Sequence, residues 1–222
     1  MSGFETDGYA VVPGILSGDE CAAFARQFHL ADAASGGTRC LLAQPWCAQL
    51  AGSLRAHPAL AGHIGAERVA VQCTYFEKSA DRNWLVPIHQ DLSIPVAAHV
   101  AGPALRGWSQ KEGTTYVRAP LEVLEELVAV RLHLDDCGPE DGPLCVVPGS
   151  HRRGIIADDD AIAMRKAGLE AVCLAAGAVL VLRPLLLHAS SKGSGNGRRR
   201  VLHFVFGPRA LPYGLSWHAA TY

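Results

Sequence analysis

A histidine and an aspartate stand two positions apart in an apolar stretch, at His89 and Asp91. Side chains alternate between the two faces of a β-strand, so residues two apart point to the same side. An imidazole and a carboxylate placed in this way can occupy adjacent positions on one metal ion, while Gln90 between them points away. The third ligand must come from elsewhere in the chain. His188, which follows a leucine-rich run, is the natural candidate.

Two histidines and one carboxylate on one face of an octahedral metal are typical of non-haem Fe(II) oxygenases. The tripeptide alone is weak evidence, because an isolated histidine on an apolar strand is usually a core residue. Arg199 adds to the pattern, since it follows His188 across the glycine-rich stretch 192–197, where two strands can reverse direction. A guanidinium beside a metal can hold a carboxylate in a bidentate contact. A 2-oxoglutarate-dependent enzyme needs such a cation for the far carboxylate of its cosubstrate.

Further polar residues are candidates for the wall of a pocket around this site. Gln72 and Thr74 share one face of a β-rich stretch, and Arg131 shares a face with His133 on a later strand. Gln72 is a candidate cofactor-binding residue. Two alternatives stay open. Gln72 and Thr74 can be polar residues on a half-exposed strand, and Arg131 can form a buried ion pair with Asp135.

A long stretch, residues 98–120, is rich in glycine and polar residues and carries few strand signals. A loop of this length in a compact domain is uncommon unless it works as a lid or a binding loop. We therefore expect a lid here, in which Trp108 either contacts a ligand or packs against the protein. Lys111 and Arg118 from this stretch, together with Arg131, are expected near the pocket mouth and favour an anionic substrate.

The composition is that of an ordinary globular protein. The chain has 222 residues, of which 49% are hydrophobic and 18% charged, with a formal net charge of −1. This length suits one domain with a large core. The charge gives no sign of binding to nucleic acid or to an anionic membrane surface. No apolar stretch is long enough to span a bilayer, and the N-terminus lacks the pattern of a signal peptide.

The cysteines indicate the compartment. There are seven, an odd number, and none belongs to a C-x-x-C pair, which argues against a zinc knuckle and against a disulfide framework. Free thiols in a reducing cytosol are the simplest interpretation. We therefore expect a cytoplasmic protein that acts on a small molecule, with neither nucleic acid nor a membrane as partner.

Helical signals come first along the chain and strand signals follow. Ser17 to Glu20 has capping-box spacing, and the helices are predicted at 21–30, 45–54 and from Pro58. The remaining elements are a short helix at 121–127 and short strands at 8–12, 68–76, 85–94, 128–134, 144–147, 172–174, 177–182 and 201–206.

This order of elements predicts a mainly β fold with flanking helices. The core is expected to be a double-stranded β-helix, a jelly roll of the cupin-like kind, with N-terminal helices packed outside it. We expect a single domain over residues 1–222. Its helical elaboration would cover about 15–65 and its jelly-roll core about 66–210.

Several motifs in a fixed order resemble the phytanoyl-CoA dioxygenase family of Fe(II)/2-oxoglutarate enzymes. The resemblance covers almost the whole chain. The segments that carry it are Asp7-Gly8-Tyr9-Ala10-Val11-Val12-Pro13-Gly14, His89-Gln90-Asp91, Asp141-Gly142-Pro143-Leu144-Cys145-Val146-Val147-Pro148-Gly149-Ser150-His151-Arg152, His188-Ala189-Ser190 and Arg199.

The resemblance implies a role for each of these site residues. His89, Asp91 and His188 are expected to bind Fe(II) as the catalytic centre, and Arg199 to bind the distal carboxylate of 2-oxoglutarate. Arg131 falls where the family places a pocket residue near the cosubstrate. Of the three consecutive arginines, Arg199 best fits the family spacing, and Arg200 and then Arg198 are the alternatives. If Arg199 faces the pocket, both of its neighbours point away from it.

The resemblance also implies the reaction. The cofactors would be Fe(II), 2-oxoglutarate and O2, and the products would include succinate and CO2. Related halogenases lack the carboxylate ligand, so the presence of Asp91 favours hydroxylation. Two other functions are alternatives: a catalytically silent jelly-roll binding protein, and a cupin-like metalloenzyme with another metal and no 2-oxoglutarate. Intact ligand candidates speak against the first, and the single histidine before the carboxylate speaks against the second.

Overall fold

The computed structural model describes residues 3–28 and 36–221. The helices in these ranges are α1 (Gly3–Asp7), α2 (Gly18–Ala25), α3 (Pro45–Ala56), α4 (Pro58–Ile64), α5 (Leu121–Glu126) and α6 (Asp158–Ala167). The strands are β1 (Tyr9–Val12), β2 (Gly37–Thr38), β3 (Arg68–Lys78), β4 (Val86–His89), β5 (Ser93–Val96), β6 (Arg106–Lys111), β7 (Thr114–Arg118), β8 (Val128–His133), β9 (Leu144–Val146), β10 (Glu170–Val172), β11 (Val179–Leu182), β12 (His188–Ser190) and β13 (Arg199–Pro208).

Two antiparallel sheets form the jelly roll that the sequence predicts. The larger has the strand order β1-β11-β8-β13-β3-β2, and the smaller has the order β10-β9-β12-β4. Between the two sheets lies an apolar cluster to which both contribute, with Ala129 and Leu180 from the larger sheet and Leu144 and Val146 from the smaller. The predicted fold class, a mainly β jelly roll with flanking helices, is confirmed.

The outer face of the larger sheet is covered by the N-terminal helices. In α3 the buried positions Cys47, Leu50, Ala51 and Leu54 follow helical i, i+3, i+4, i+7 spacing, and Pro45 stands at the start of the helix. These residues join a core cluster with alternate residues of β8 and β13, including Phe204. Full burial of each leucine contributes about 2 kcal/mol. Because side chains alternate between the two faces of a strand, the other residues of β8 and β13 face the space between the two sheets.

The predicted N-terminal helices are present with shifted ends. Ser17 and Glu20 form the capping box, each side chain bonding the other's backbone N–H. The helix after it, α2, ends at Ala25, and the last two residues of the predicted helix, 29 and 30, lie outside the described ranges. Within the described ranges no helix is both long and apolar enough to cross a membrane.

The stretch predicted to be a long lid loop is instead a β-hairpin, and this prediction is wrong. Strands β6 and β7 pair with each other, and β7 pairs with β5, so that three strands form a small sheet. The hairpin turns at Glu112 and Gly113, both with positive φ (49° and 78°), as a two-residue turn of the type whose twist matches its strands. Trp108 is half-buried and packs against His99, with ring centroids 4.1 Å apart.

Candidate active site

The three predicted metal ligands meet where the smaller sheet ends. Strands β4 and β12 are paired with His89 opposite His188, and the two rings lie 4.2 Å apart between centroids. Asp91 follows β4, and its backbone N–H donates to the carbonyl of Pro184 just before β12. Each of the three residues offers one ligand atom, and these atoms all lie within 4.8 Å of one another.

The orientation of both imidazoles suits a metal. Nδ1 of His89 lies 2.9 Å from the carbonyl oxygen of Pro87, and Nδ1 of His188 lies 2.8 Å from that of Leu186. A ring that donates from Nδ1 to a carbonyl presents the lone pair of Nε2, the usual arrangement for a metal-binding histidine. The two Nε2 atoms lie 3.6 and 3.7 Å from oxygens of Asp91, which leaves room for an ion between them.

The charges of the cluster also fit a cation. Burial alone would raise the pKa of Asp91, but His188, His89 and His203 together hold that pKa well below its usual range. Burial lowers the pKa of His188 to about 4, against the opposing effect of Asp91, so this ring is neutral at neutral pH. One carboxylate and neutral imidazole nitrogens are ligands that iron accepts. The donor set therefore fits the implied Fe(II).

Gln90, which points away from the metal ligands, fastens the motif to two loops. Its Nε2 donates to the carbonyls of Gly154 and Leu185 at 2.8 and 2.6 Å, and its Oε1 accepts from the N–H of Ile156 at 2.9 Å. All three hydrogen bonds of this largely buried amide therefore go to backbone groups. Gln90 therefore holds the backbone between the two candidate ligands in place, a contact that the sequence did not reveal.

We expect Gln90→Leu to destabilise the protein and weaken its metal site. The change removes three buried hydrogen bonds, each worth about 1 kcal/mol, and leaves their backbone partners unpaired. We expect about 3 kcal/mol less unfolding free energy in urea, and about tenfold weaker Mn(II) binding because the motif loses its orientation. The control is Gln110→Leu, on an exposed strand position. Equal Mn(II) affinity in the Gln90 variant and the parent would contradict the positioning role.

One cavity of about 440 Å³ connects the metal ligands with the other predicted site residues. Its wall includes all six of them, namely His89, Asp91, His188, Arg199, Arg131 and Gln72. Thr74 also lines the cavity and accepts a hydrogen bond from Gln72 at 3.1 Å. The inward-facing rows of the larger sheet therefore form the wall opposite the metal ligands.

Arg199 alone of the three consecutive arginines faces this cavity. It is 4% exposed and donates to the carbonyl of Gly142, while its Nε has no hydrogen-bond partner among the described residues. Arg198 lies 3.3 Å from Glu77, and Arg200 pairs with Asp135 at 2.6 Å. The alternation expected on a strand is present.

Two of the open alternatives and expectations are wrong. The carboxylate of Asp135 accepts hydrogen bonds from the backbone N–H and from the guanidinium of Arg200. The ion pair between Arg131 and Asp135 is therefore absent. Arg131 instead lies 3.2 Å from Nδ1 of His203, in the cavity wall. Arg118 is exposed and is not among the described residues that line the cavity.

Sequence reasoning missed a buried lysine beside Arg199. Lys78 stands opposite Arg199 across β3 and β13, is 3% exposed, and donates to the hydroxyl of Ser190 at 2.6 Å. Burial, and the charges of Arg199 and Arg131, lower the pKa of Lys78 to about 7. The signal was available, because Lys78 continues the inward-facing row of Gln72 on the same strand.

Comparison with known proteins identifies the family. A family model for phytanoyl-CoA dioxygenase matches residues 4–201. The chain belongs to the phytanoyl-CoA dioxygenase family. This family and the ligand geometry support the prediction of Fe(II) and 2-oxoglutarate as cofactors. A search of curated proteins finds no match.

Several solved structures have a similar fold. HygX from Streptomyces hygroscopicus, with iron bound, is 23% identical, with a TM-score of 0.64 over 92% of this chain and 84% of that one. AviO1 from Streptomyces viridochromogenes Tue57 is 21% identical, with a TM-score of 0.62 over 94% and 93%. SnoN, a non-haem α-ketoglutarate-dependent epimerase from nogalamycin biosynthesis, is 18% identical, with a TM-score of 0.64 over 97% and 85%. At such identities these structures show a shared fold.

Proposed function

We propose that this member of the family is an Fe(II)- and 2-oxoglutarate-dependent oxygenase that hydroxylates a small anionic metabolite, with release of succinate and CO2. One observation carries the proposal. The cluster of His89, Asp91 and His188 and the buried, incompletely partnered Arg199 line the same cavity of about 440 Å³. HygX, of the same fold, has been crystallised with nickel, 2-oxoglutarate and hygromycin B, which supports a site for a metal, a cosubstrate and a small molecule.

The residues of the proposed site divide into two groups. His89, Asp91 and His188 would hold Fe(II), which when bound supplies oxidation of a C–H bond by O2 at the expense of 2-oxoglutarate. Arg199 would bind the distal carboxylate of 2-oxoglutarate, with Ser190 beside it and Lys78 adding positive charge. Arg131 and Gln72 are proposed to complete the cofactor-binding wall. The apolar lining, including Val71 and Ile94, excludes water from the reacting carbon.

The charges of the cavity favour an anionic substrate. Four cationic residues line it, Arg39, Lys111, Arg131 and Arg199, whereas Asp91 is the one acidic residue among the described lining residues. A divalent metal and the dianion of 2-oxoglutarate cancel one another. The excess positive charge therefore remains for the substrate to neutralise.

We expect the purified protein to convert 2-oxoglutarate to succinate when supplied with Fe(II), ascorbate and O2. Succinate is measured by chromatography, with and without a metabolite mixture, and turnover should rise when the substrate is present. Mass spectrometry of the consumed metabolite decides between hydroxylation, a gain of one oxygen atom, and the ring closure or epimerisation found in structural relatives. Absence of both 2-oxoglutarate binding and succinate would favour the catalytically silent binding protein.

We propose that residues 1–222 form one catalytic domain, with the helices between 15 and 65 as an elaboration of its jelly roll. All seven cysteines are free thiols, which fits the predicted cytoplasmic location. That location stays a prediction.

A further inference from the structure

The β6–β7 hairpin brings a cation to the rim of the cavity. Lys111 is the last residue of β6, it is exposed, and it lines the cavity. Its ammonium lies 4.9 Å from the centre of the Tyr116 ring, as in a cation–π contact. No carboxylate among the described residues forms an ion pair with it. The charge of Lys111 is therefore available to a ligand.

Tyr116, the ring below that ammonium, carries a buried hydroxyl without a partner. The residue is 2% exposed and lines the cavity, and its hydroxyl makes no hydrogen bond to the described residues. Leaving a buried polar group unpaired costs about 1–3 kcal/mol. Burial, and the nearby Cys40 and Glu112, raise the pKa of Tyr116 to about 12, with Arg39 opposing, so the group remains a proton donor.

Arg39 is fixed at the same rim by the tip of the hairpin. The carboxylate of Glu112 accepts from the backbone N–H of Arg39 and from one guanidinium nitrogen, both at 2.7 Å, and from the hydroxyl of Thr38 at 3.3 Å. Glu112 thus neutralises one of the two cations at the rim. Lys111 remains as the uncompensated charge, next to an unused hydroxyl donor.

We propose that Lys111 and the Tyr116 hydroxyl, with Arg39 beside them, bind the oxyanion group of the substrate, a carboxylate or a phosphate, at the rim of the cavity. This inference rests on the proposed function and assigns the substrate class of that same site. The anionic end of the substrate is held at the hairpin, and its apolar remainder extends between Val71 and Ile94 toward the metal ligands. The hairpin is thereby a specificity element.

The test uses NMR with small probes, on protein saturated with Mn(II) and 2-oxoglutarate. Hexanoate is compared with hexanamide, its neutral counterpart, and with butyl phosphate, which tells carboxylate from phosphate preference. We expect at least one of the two anions to bind about tenfold more tightly than hexanamide, as for a charge-assisted hydrogen bond. Because bound Mn(II) speeds relaxation of nearby protons, the methyl end of hexanoate should relax faster than the CH2 next to its carboxylate.

Two variants and one matched control separate binding from folding. Tyr116→Phe removes an unpaired buried hydroxyl, so its Tm should stay equal or rise while anion affinity falls about tenfold. Lys111→Met should lower anion affinity about threefold, as expected for an exposed charge. Lys166→Met, which removes a lysine on the exposed side of α6, should change nothing.

The outcomes of this test are distinct from those for the proposed function. If neither anion binds better than hexanamide, if the relaxation gradient is reversed, or if both rim variants bind as the parent does, the rim site is wrong. If the parent fails to bind 2-oxoglutarate, the proposed function is wrong. The comparison of Lys111→Met with Lys166→Met on the Mn(II) protein still decides the rim site in that case.

Discussion

Asp91→Ala is expected to abolish metal-dependent turnover of 2-oxoglutarate. The carboxylate lies between Nε2 of His89 and Nε2 of His188 and supplies the only negative charge among the described lining residues of the cavity. Loss of residues that merely orient a ligand lowers metal affinity about 10–100-fold. Removal of the charged ligand itself should therefore lower Mn(II) affinity by at least about 100-fold.

Thermal unfolding with and without Mn(II) distinguishes this loss from misfolding. A metal that binds only the folded state adds about 2.7 kcal/mol of stability at a concentration one hundred times its Kd. The parent and an exposed control, Asp159→Ala on the first turn of α6, should show the full metal-dependent rise in Tm. The Asp91 variant should show at most about one sixth of that gain in stability. A normal rise in that variant would place the metal elsewhere.

Strand alternation made much of the candidate site predictable from sequence. A period of two placed His89 and Asp91 together and Gln90 opposite, and it separated Arg199 from Arg198 and Arg200. The structure places the side chains as expected, although Gln90 and Asp91 lie just past the end of β4 and Arg198 just before the start of β13. Such inferences succeed because the geometry of a single strand is local. The distant partner, His188, was a candidate from its place after a leucine-rich run, and the resemblance then implied its role.

Residues whose surroundings are set by distant contacts were harder to predict. Lys78 is buried beside Arg199, and buried lysines without a carboxylate partner are rare, so a rule based on residue type assigns it to the surface. The basic partner of Asp135 depends on the register of β8 against β13. This register cannot be read from the sequence. The partner proved to be Arg200 and not Arg131.

The hairpin was missed for a different physical reason. Every residue of β6 except the half-buried Trp108 is exposed to solvent, so its sequence is polar and lacks the apolar alternation that marks a half-buried strand. The turn at Glu112-Gly113 is a weaker signal than Asn-Gly or Asp-Gly. In retrospect, Glu112-Gly113 followed directly by the Thr-rich start of β7 was the available indication.

Arg199→Met is expected to abolish 2-oxoglutarate binding without loss of stability in the free protein. A carboxylate held by two charge-assisted hydrogen bonds, each worth about 1.5–3 kcal/mol, would lose at least about 100-fold in affinity. Yet Arg199 is a buried cation whose Nε has no hydrogen-bond partner among the described residues. It also lies close enough to Lys78 and Arg131 for their positive charges to repel it. Replacing it by an apolar side chain removes the cost of burying a charge that has no carboxylate partner among the described residues.

The neighbouring arginines provide the matched controls. For Arg200→Met we expect the opposite of Arg199→Met, a loss of stability without a loss of 2-oxoglutarate binding. Arg200→Met breaks a pair with Asp135 that includes two side-chain hydrogen bonds, so unfolding free energy should fall by about 2 kcal/mol while 2-oxoglutarate affinity is kept. Arg198→Met should keep 2-oxoglutarate affinity and lower the unfolding free energy by at most about 1 kcal/mol, because Arg198 is exposed and its partner Glu77 also pairs with Arg82. Calorimetric titration with 2-oxoglutarate on the Mn(II) protein and urea unfolding measure the two. If Arg199→Met keeps the 2-oxoglutarate affinity of the parent, the inward-facing cation does not bind the cosubstrate.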